Sequence, residues 1–153
     1  MLFLKIIIFI IVFLFCMVSI TLYANDANMF DEPGFGSRLN IFFGSNVAIT
    51  ADDHDLKELR PPVYQKSAER LYKELLLAAS GLGWEIVSHD SDTMKISMIV
   101  RSRVFLFEDD VYVMVKAVSD DQSTLYAESR SRVGRADLGA NSGHIQALMN
   151  SIQ

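Results

Sequence analysis

With a single cysteine, Cys16, the 153-residue chain can close no internal disulfide, so any folded body in it must be held by its own core. Positive charge is also short. Fourteen Lys and Arg stand against 19 Asp and Glu, a formal net charge of −5, which argues against nucleic acid as a partner. The three histidines, His54, His89 and His144, are scattered, and no serine or cysteine sits in a recognisable nucleophile motif. The acidic run Asp52, Asp53, Asp55 and Glu58 surrounds His54 but lacks the glycine and the closing glutamate of a calcium loop. It reads as a solvated loop, and neither a metal nor a cofactor is expected anywhere in the chain.

What the chain has in excess is apolar sequence at its start. Leu2 to Tyr23 is nearly unbroken, interrupted by Lys5, Ser19 and Thr21, and is followed by Ala24, Asn25, Asp26, Asp31 and Glu32. One lysine ahead of such a run, with acids and a small residue behind it, describes an export signal. The run also has the roughly 20 residues needed to cross a bilayer. Leu22 is bulky where a cleavage site prefers a small residue, so a cleaved signal peptide and a retained membrane anchor both stay open. Either way, Lys5 is the only positive charge near the run, and the rest of the chain is expected outside the cytoplasm, periplasmic or membrane-anchored. Cys16 lies within the run, and Phe13-Leu14-Phe15 supplies no small residues for lipid attachment.

Three segments follow from this reading: 1–24 as signal peptide or anchor, 25–60 as a linker and irregular segment, and 61–153 as the folded domain. Pro33-Gly34-Phe35-Gly36-Ser37 looks like a flexible connection, and Leu39 to Phe43 is a short apolar patch that packs on the domain or faces the membrane. After Arg60-Pro61-Pro62, apolar residues Ala68, Leu71, Tyr72, Leu75, Ala78 and Ala79 recur at helical spacing. They predict a helix over 65–80, ended by a left-handed Gly81. Four strands are predicted next, at 84–88, 94–104, 111–119 and 125–133, joined by short polar turns. Short connections make hairpins, so the four should form an antiparallel meander. A closing helix over 142–152, capped by Asn141, completes a two-layer α+β domain with both helices on one face of the sheet.

Alternation assigns Val111, Val113, Val115 and Ala117 to the same face as Leu125, Ala127, Ser129 and Ser131. Pairing these faces, with Lys116 set opposite Glu128, brings the acidic turn Asp109-Asp110 level with Gly134 and Arg135. The polar corner so formed supplies the candidate binding residues: Asp109, Asp110, Arg130, Arg132, Arg135, Asp137 and Asn141. Arginines beside a helix start suit an anion. The plainer reading is a brace in which the acids consume the arginines. His89 and His144 are expected to be exposed. No catalytic residue is assigned, since carboxylates beside arginines stay ionised and inert as general acids.

Two motifs carry a resemblance. Phe107-Glu108-Asp109-Asp110-Val111, followed by Arg130-Ser131-Arg132-Val133-Gly134-Arg135-Ala136-Asp137-Leu138-Gly139-Ala140-Asn141, resembles the signature of the domain of unknown function 1499 family. That signature is an aromatic-x-Asp-Asp-Val turn and then Arg-Ser-x-Ser-Arg-Val-Gly-x-x-Asp-Leu-Gly-x-Asn. Its leading Arg-Ser is Glu128-Ser129 here. The resemblance runs from about Pro62 to Ile152 and implies a bacterial, often membrane-attached domain with no assigned activity and no catalytic residues to transfer. The expected function is an envelope binding or scaffold module that contacts the membrane through its apolar segment. Its other partner is an unknown envelope protein or anionic component. The rival is a hydrolase-like enzyme using Asp109, Asp110 and Asp137.

Overall fold

The computed structural model describes residues 1–152. Helix α1, Leu2–Ala24, carries the apolar run, and its side chains lie open along nearly its whole length. A short helix α2, Phe35–Gly44, leads into a three-residue strand β1, Val47–Ile49, and a 3-10 turn at Lys57–Leu59. Then come α3, Ala68–Gly81, four strands, β2 Glu85–Asp90, β3 Lys95–Arg101, β4 Glu108–Ala117 and β5 Ser123–Ser131, and the closing helix α4, Ala140–Asn150.

The strands form one antiparallel sheet in the order β1-β5-β4-β3-β2. The meander of β2 to β5 is present as expected, within an α+β architecture. The sheet has five strands and not four, because Val47 to Ile49 pair with Arg130 to Glu128 on the free edge of β5. A three-residue strand has too little length for a visible alternation, and its partner lies far away in sequence. Residues 25–60 are likewise not an irregular linker along their length, since α2 and β1 lie within them. Arg38 explains how a glycine-bearing segment stays helical. Its guanidinium is 1 % exposed and forks onto Glu58 at 2.6 and 2.9 Å while bonding the carbonyls of Asp31 and Glu32.

α3 begins at Ala68 because Ser67 caps it, its side chain accepting the Arg70 amide. Its stripe of Leu71, Tyr72, Leu75 and Ala79 is buried against the sheet. The left-handed residue after it is Gly83, φ +73°, two positions beyond Gly81. From the sheet, Ile96, Met98, Val111, Val113, Leu125 and Ala127 meet this stripe and Ile145 and Leu148 of α4. The opposite sheet face carries no helix among the described residues.

The faces of β4 and β5 pair inward with inward, Val111 with Ser129 and Val113 with Ala127, but the register differs from the expected one. Lys116 faces Thr124, four residues short of Glu128, and Glu128 faces Tyr112. The reason is the turn. Val118 and Ser119 both donate their amides to the Gln122 carbonyl, so β5 starts at Ser123 and the hairpin closes tighter than a five-residue loop would.

Candidate functional site

β4 alternates Asp109 inward and Asp110 outward, so two adjacent carboxylates enter different environments. Asp110 is exposed and holds Arg132 through Nε at 3.0 Å and Nη2 at 2.6 Å. Glu108 adds a third contact, 2.6 Å from Arg132 Nη1. The Asp110 carboxylate, first by hydrogen bond, raises the Arg132 pKa further above its usual value. Arg130 faces Asp110 in register, yet its guanidinium pairs with Glu128 of its own strand at 2.9 Å. Arg135 is exposed in the following loop and joins no ion pair among the described residues. The expected corner therefore forms around Arg132 and Asp110, and Arg135 lies outside it.

Asp109 goes the other way. Only 1 % exposed, it meets His144 of α4, whose Nε2 lies 2.9 Å from Asp109 Oδ2. His144 is thus buried and not exposed as expected. α4 starts at Ala140, two residues earlier than predicted, and His144 lies one turn before Leu148 on its buried side. The same shift displaces Asn141 from its expected capping role. Gly139 occupies the cap position in a left-handed conformation, and Asp137 takes the amides of Gly139 at 2.9 Å and Asn141 at 3.2 Å.

Asn141, fully buried, becomes the centre of a network instead. Its Oδ1 accepts from Ser129 Oγ at 2.6 Å, and its Nδ2 lies near Asp137 Oδ2, the Asn46 carbonyl and Ser131 Oγ. Ser129 and Ser131 point inward from β5, and Asn46 stands just before β1. One amide side chain therefore ties α4, β5 and the β1 approach together. Burial raises the pKa of Asp137, an effect opposed by the Gly139 and Asn141 amides.

Of the seven residues expected at the corner, Asp110, Arg130 and Arg132 thus sit in exposed pairs, Asp109, Asp137 and Asn141 in buried bonds, and Arg135 apart. Asp109 and Asp137 border the same small cavity of about 150 Å³, together with Thr21 and Asn25 at the end of α1. On the far side of the Asp109–His144 pair lies a larger cleft of about 410 Å³, whose lining includes Trp84, Glu85, Arg101, Arg103 and His144. The sequence reading did not reach this cleft. Trp84 presents its ring edgewise to His144, with centroids 6.0 Å apart, and two arginines against one glutamate give the rim a positive balance. Among the described residues, no hydroxyl or thiol bonds His144, whose recorded partner is Asp109 alone.

No curated protein matches the chain. The sequence profile described as "Protein of unknown function (DUF1499)" matches residues 31–152, which takes in α2, all five strands and both domain helices. By that match over most of its length, the chain belongs to the domain of unknown function 1499 family.

Proposed function

We propose that the chain is a membrane-tethered, non-enzymatic module of the cell envelope that binds a partner or an anionic envelope component through the uncovered face of its sheet. The observation that carries this reading is the composition of that face. Both domain helices pack on the inner side. The outer side presents Tyr112 and Tyr126 edge to face with centroids 6.3 Å apart, Lys116 over the Tyr126 ring at 5.5 Å, and Arg130 beyond them. Aromatic and arginine side chains are the groups most enriched where proteins bind one another.

The corner supports the face as a brace. Asp110, Glu108 and Glu128 hold Arg132 and Arg130 in place, and the buried Asp109–His144 and Asn141 contacts fix the strand end beneath them. The three carboxylates of the hydrolase reading are all committed to these bonds. The apolar α1 is compatible with a signal or an anchor, and we read it as a retained anchor. Its end is part of the domain: Thr21 and Asn25 are buried, Asn25 Nδ2 donates to the Leu138 carbonyl at 3.1 Å, and Arg103 bonds the Ala24 carbonyl and Asp26. The lone Lys5 at the start of α1 favours an outward-facing domain.

A crosslinking pull-down from intact cells tests the face. Reversing two charges there, Lys116→Glu with Arg130→Glu, should leave the melting temperature within a few degrees and abolish recovery of the partner. Unchanged recovery would remove the outer face from the proposal.

A further inference from the structure

The exposed apolar residues of the domain gather around one joint. On one side of the α1 terminus, α2 holds Phe35, Leu39 and Phe43 four residues apart, 51 %, 37 % and 42 % exposed, and therefore on one side of the helix. The adjoining flank of α2 is already used, with Arg38 and Phe42 buried in the domain. Between the open side of α2 and the last turns of α1 runs a groove of about 610 Å³, its walls including Phe15, Val18, Leu22, Leu39 and Phe43. Phe30 stacks on Phe35 at its mouth, centroids 5.7 Å apart. On the opposite side of the same terminus, the β3–β4 loop exposes Phe105, Leu106 and Phe107, with the two rings stacked at 5.7 Å. Phe105 and Phe107 border the cavity that contains Thr21 and Asn25.

The joint between α1 and these groups is tight. A Cβ at Gly143 would come within 2.6 Å of the Asn25 carbonyl oxygen, and one at Gly139 within 2.8 Å of the Ala27 Cβ. The apolar groups are therefore held at a fixed height along α1. A helix rises 1.5 Å per residue and a bilayer core is about 30 Å thick, so about 20 residues of α1 fill it. With Lys5 at one boundary and Asn25 at the other, Phe15 to Leu22 lie in the half of the bilayer nearest the domain. A groove walled by those residues opens to hydrocarbon. The phenylalanine and leucine side chains flanking the terminus suit the apolar faces by which surface-lying segments enter the boundary between headgroups and acyl chains.

Resting on the reading of α1 as a retained anchor, we propose that the domain sits on the membrane surface through α2 and the Phe105–Phe107 loop, with the acyl chain of a bilayer lipid filling the α1–α2 groove. The continuity of the groove with the membrane-crossing helix selects this occupant. A second copy of the chain, anchored in the same bilayer, is the competing occupant that the test below separates from lipid. Asp31 at the groove rim gives no preference for an anionic headgroup, so the recognised chemistry is the hydrocarbon chain. The consequence is orientation: a seated domain holds its sheet at a set angle to the bilayer and does not swing on a tether.

Fluorescence quenching in vesicles tests this with the full chain. Trp84 is the only tryptophan, so Trp84→Phe gives a silent background into which single reporters are placed. Phe9→Trp reports on the anchor, Phe43→Trp on the groove and Phe107→Trp on the loop. Val118→Trp reports on the far hairpin, separated by the length of β4 from the end that touches α1. The variants are reconstituted in phosphatidylcholine vesicles whose acyl chains carry bromine. The expected result is strong quenching at Phe9→Trp, at least half as much at Phe43→Trp, measurable quenching at Phe107→Trp and none at Val118→Trp. Quenching at Phe9→Trp with none at Phe43→Trp or Phe107→Trp would leave the anchor standing and overturn the seated domain. The same pattern with concentration-dependent self-association would assign the groove to a second copy, also against the proposal. An unquenched Phe9→Trp would refute the anchor and the proposal with it.

Discussion

The Nε2 atom of His144 lies 2.9 Å from the Oδ2 of Asp109, with both side chains buried where the start of α4 meets the start of β4. Each group is the other's principal polar partner there. Breaking such a pair from one side strands a buried polar group, at a cost of about 1–3 kcal/mol. Asp109→Val and His144→Leu are each expected to destabilise by that order in denaturant unfolding of the detergent-solubilised protein. The double variant should be less destabilised than the two single effects added together, because it leaves no orphan. Additive losses would mean that the two groups act independently.

The exposed pair behaves differently. Arg132 and Asp110 are both in contact with water, where screening and side-chain entropy cancel most of an ion pair's attraction. Arg132→Lys together with Arg135→Lys is expected to leave the melting temperature nearly unchanged in moderate salt. Any small loss should come from Arg132 alone and shrink as salt is raised. A large loss from Arg135→Lys by itself would show a contact for that residue that the fold does not provide.

Asp137 gives a pH signature. Its folded-state pKa lies above the ordinary 3.8, chiefly through burial. A raised carboxyl pKa means that the native state binds the proton more readily than the unfolded chain. Its stabilising contribution is therefore complete below the unfolded value and is lost as pH rises through the folded one. The stability of the wild type relative to Asp137→Asn should accordingly fall as pH increases from about 3 through the acidic range and then level off. A difference that grows over the same interval would reverse the assignment.

Much of this domain can be read locally. The stripe Leu71, Tyr72, Leu75, Ala79 and the alternation through β3, β4 and β5 are written within a few residues of each other, and the helix and meander follow from them. Asp110 and Arg132 both belonged to the expected corner, but they meet through a register four residues away from the expected one. The features that escaped depend on distant partners. β1 exists because β5 offers it an edge, and α2 persists because Glu58 holds Arg38. The β4–β5 register was set by two amides converging on Gln122, a turn geometry that cross-strand charge pairing does not reveal.

His144 had a signal that could have been used. It stands one turn before Leu148 on the buried side of α4, while the alternation that placed Val111 inward places Asp109 inward as well. A buried carboxylate at a sheet end calls for a donor from the covering helix. Asn141 was misassigned for a related reason: asparagine before a helical stripe reads as a cap, and only the left-handed Gly139 with the Asp137 carboxylate shows that the helix had already begun.

The docking of α1 is testable at Gly143. A methyl group there meets the Asn25 carbonyl at 2.6 Å, and backbone on both sides leaves little room to give. Gly143→Ala is expected to destabilise by about 1–3 kcal/mol, as overpacked sites do. It should also speed proteolysis between Asn25 and Met29 as the joint loosens. Unchanged proteolysis with unchanged stability would mean that α1 and the domain are not fixed to each other.

The most direct test of the binding role is to place a photo-crosslinking amino acid at Met114, in the middle of the outer sheet face between Tyr112 and Lys116, in the full chain in living cells. Leu77, exposed on the solvent side of α3, serves as the control position. The prediction is a discrete adduct from Met114 that disappears with Arg130→Glu, and none from Leu77. An adduct from Leu77 with none from Met114 would contradict the assignment of the outer sheet face as the binding surface.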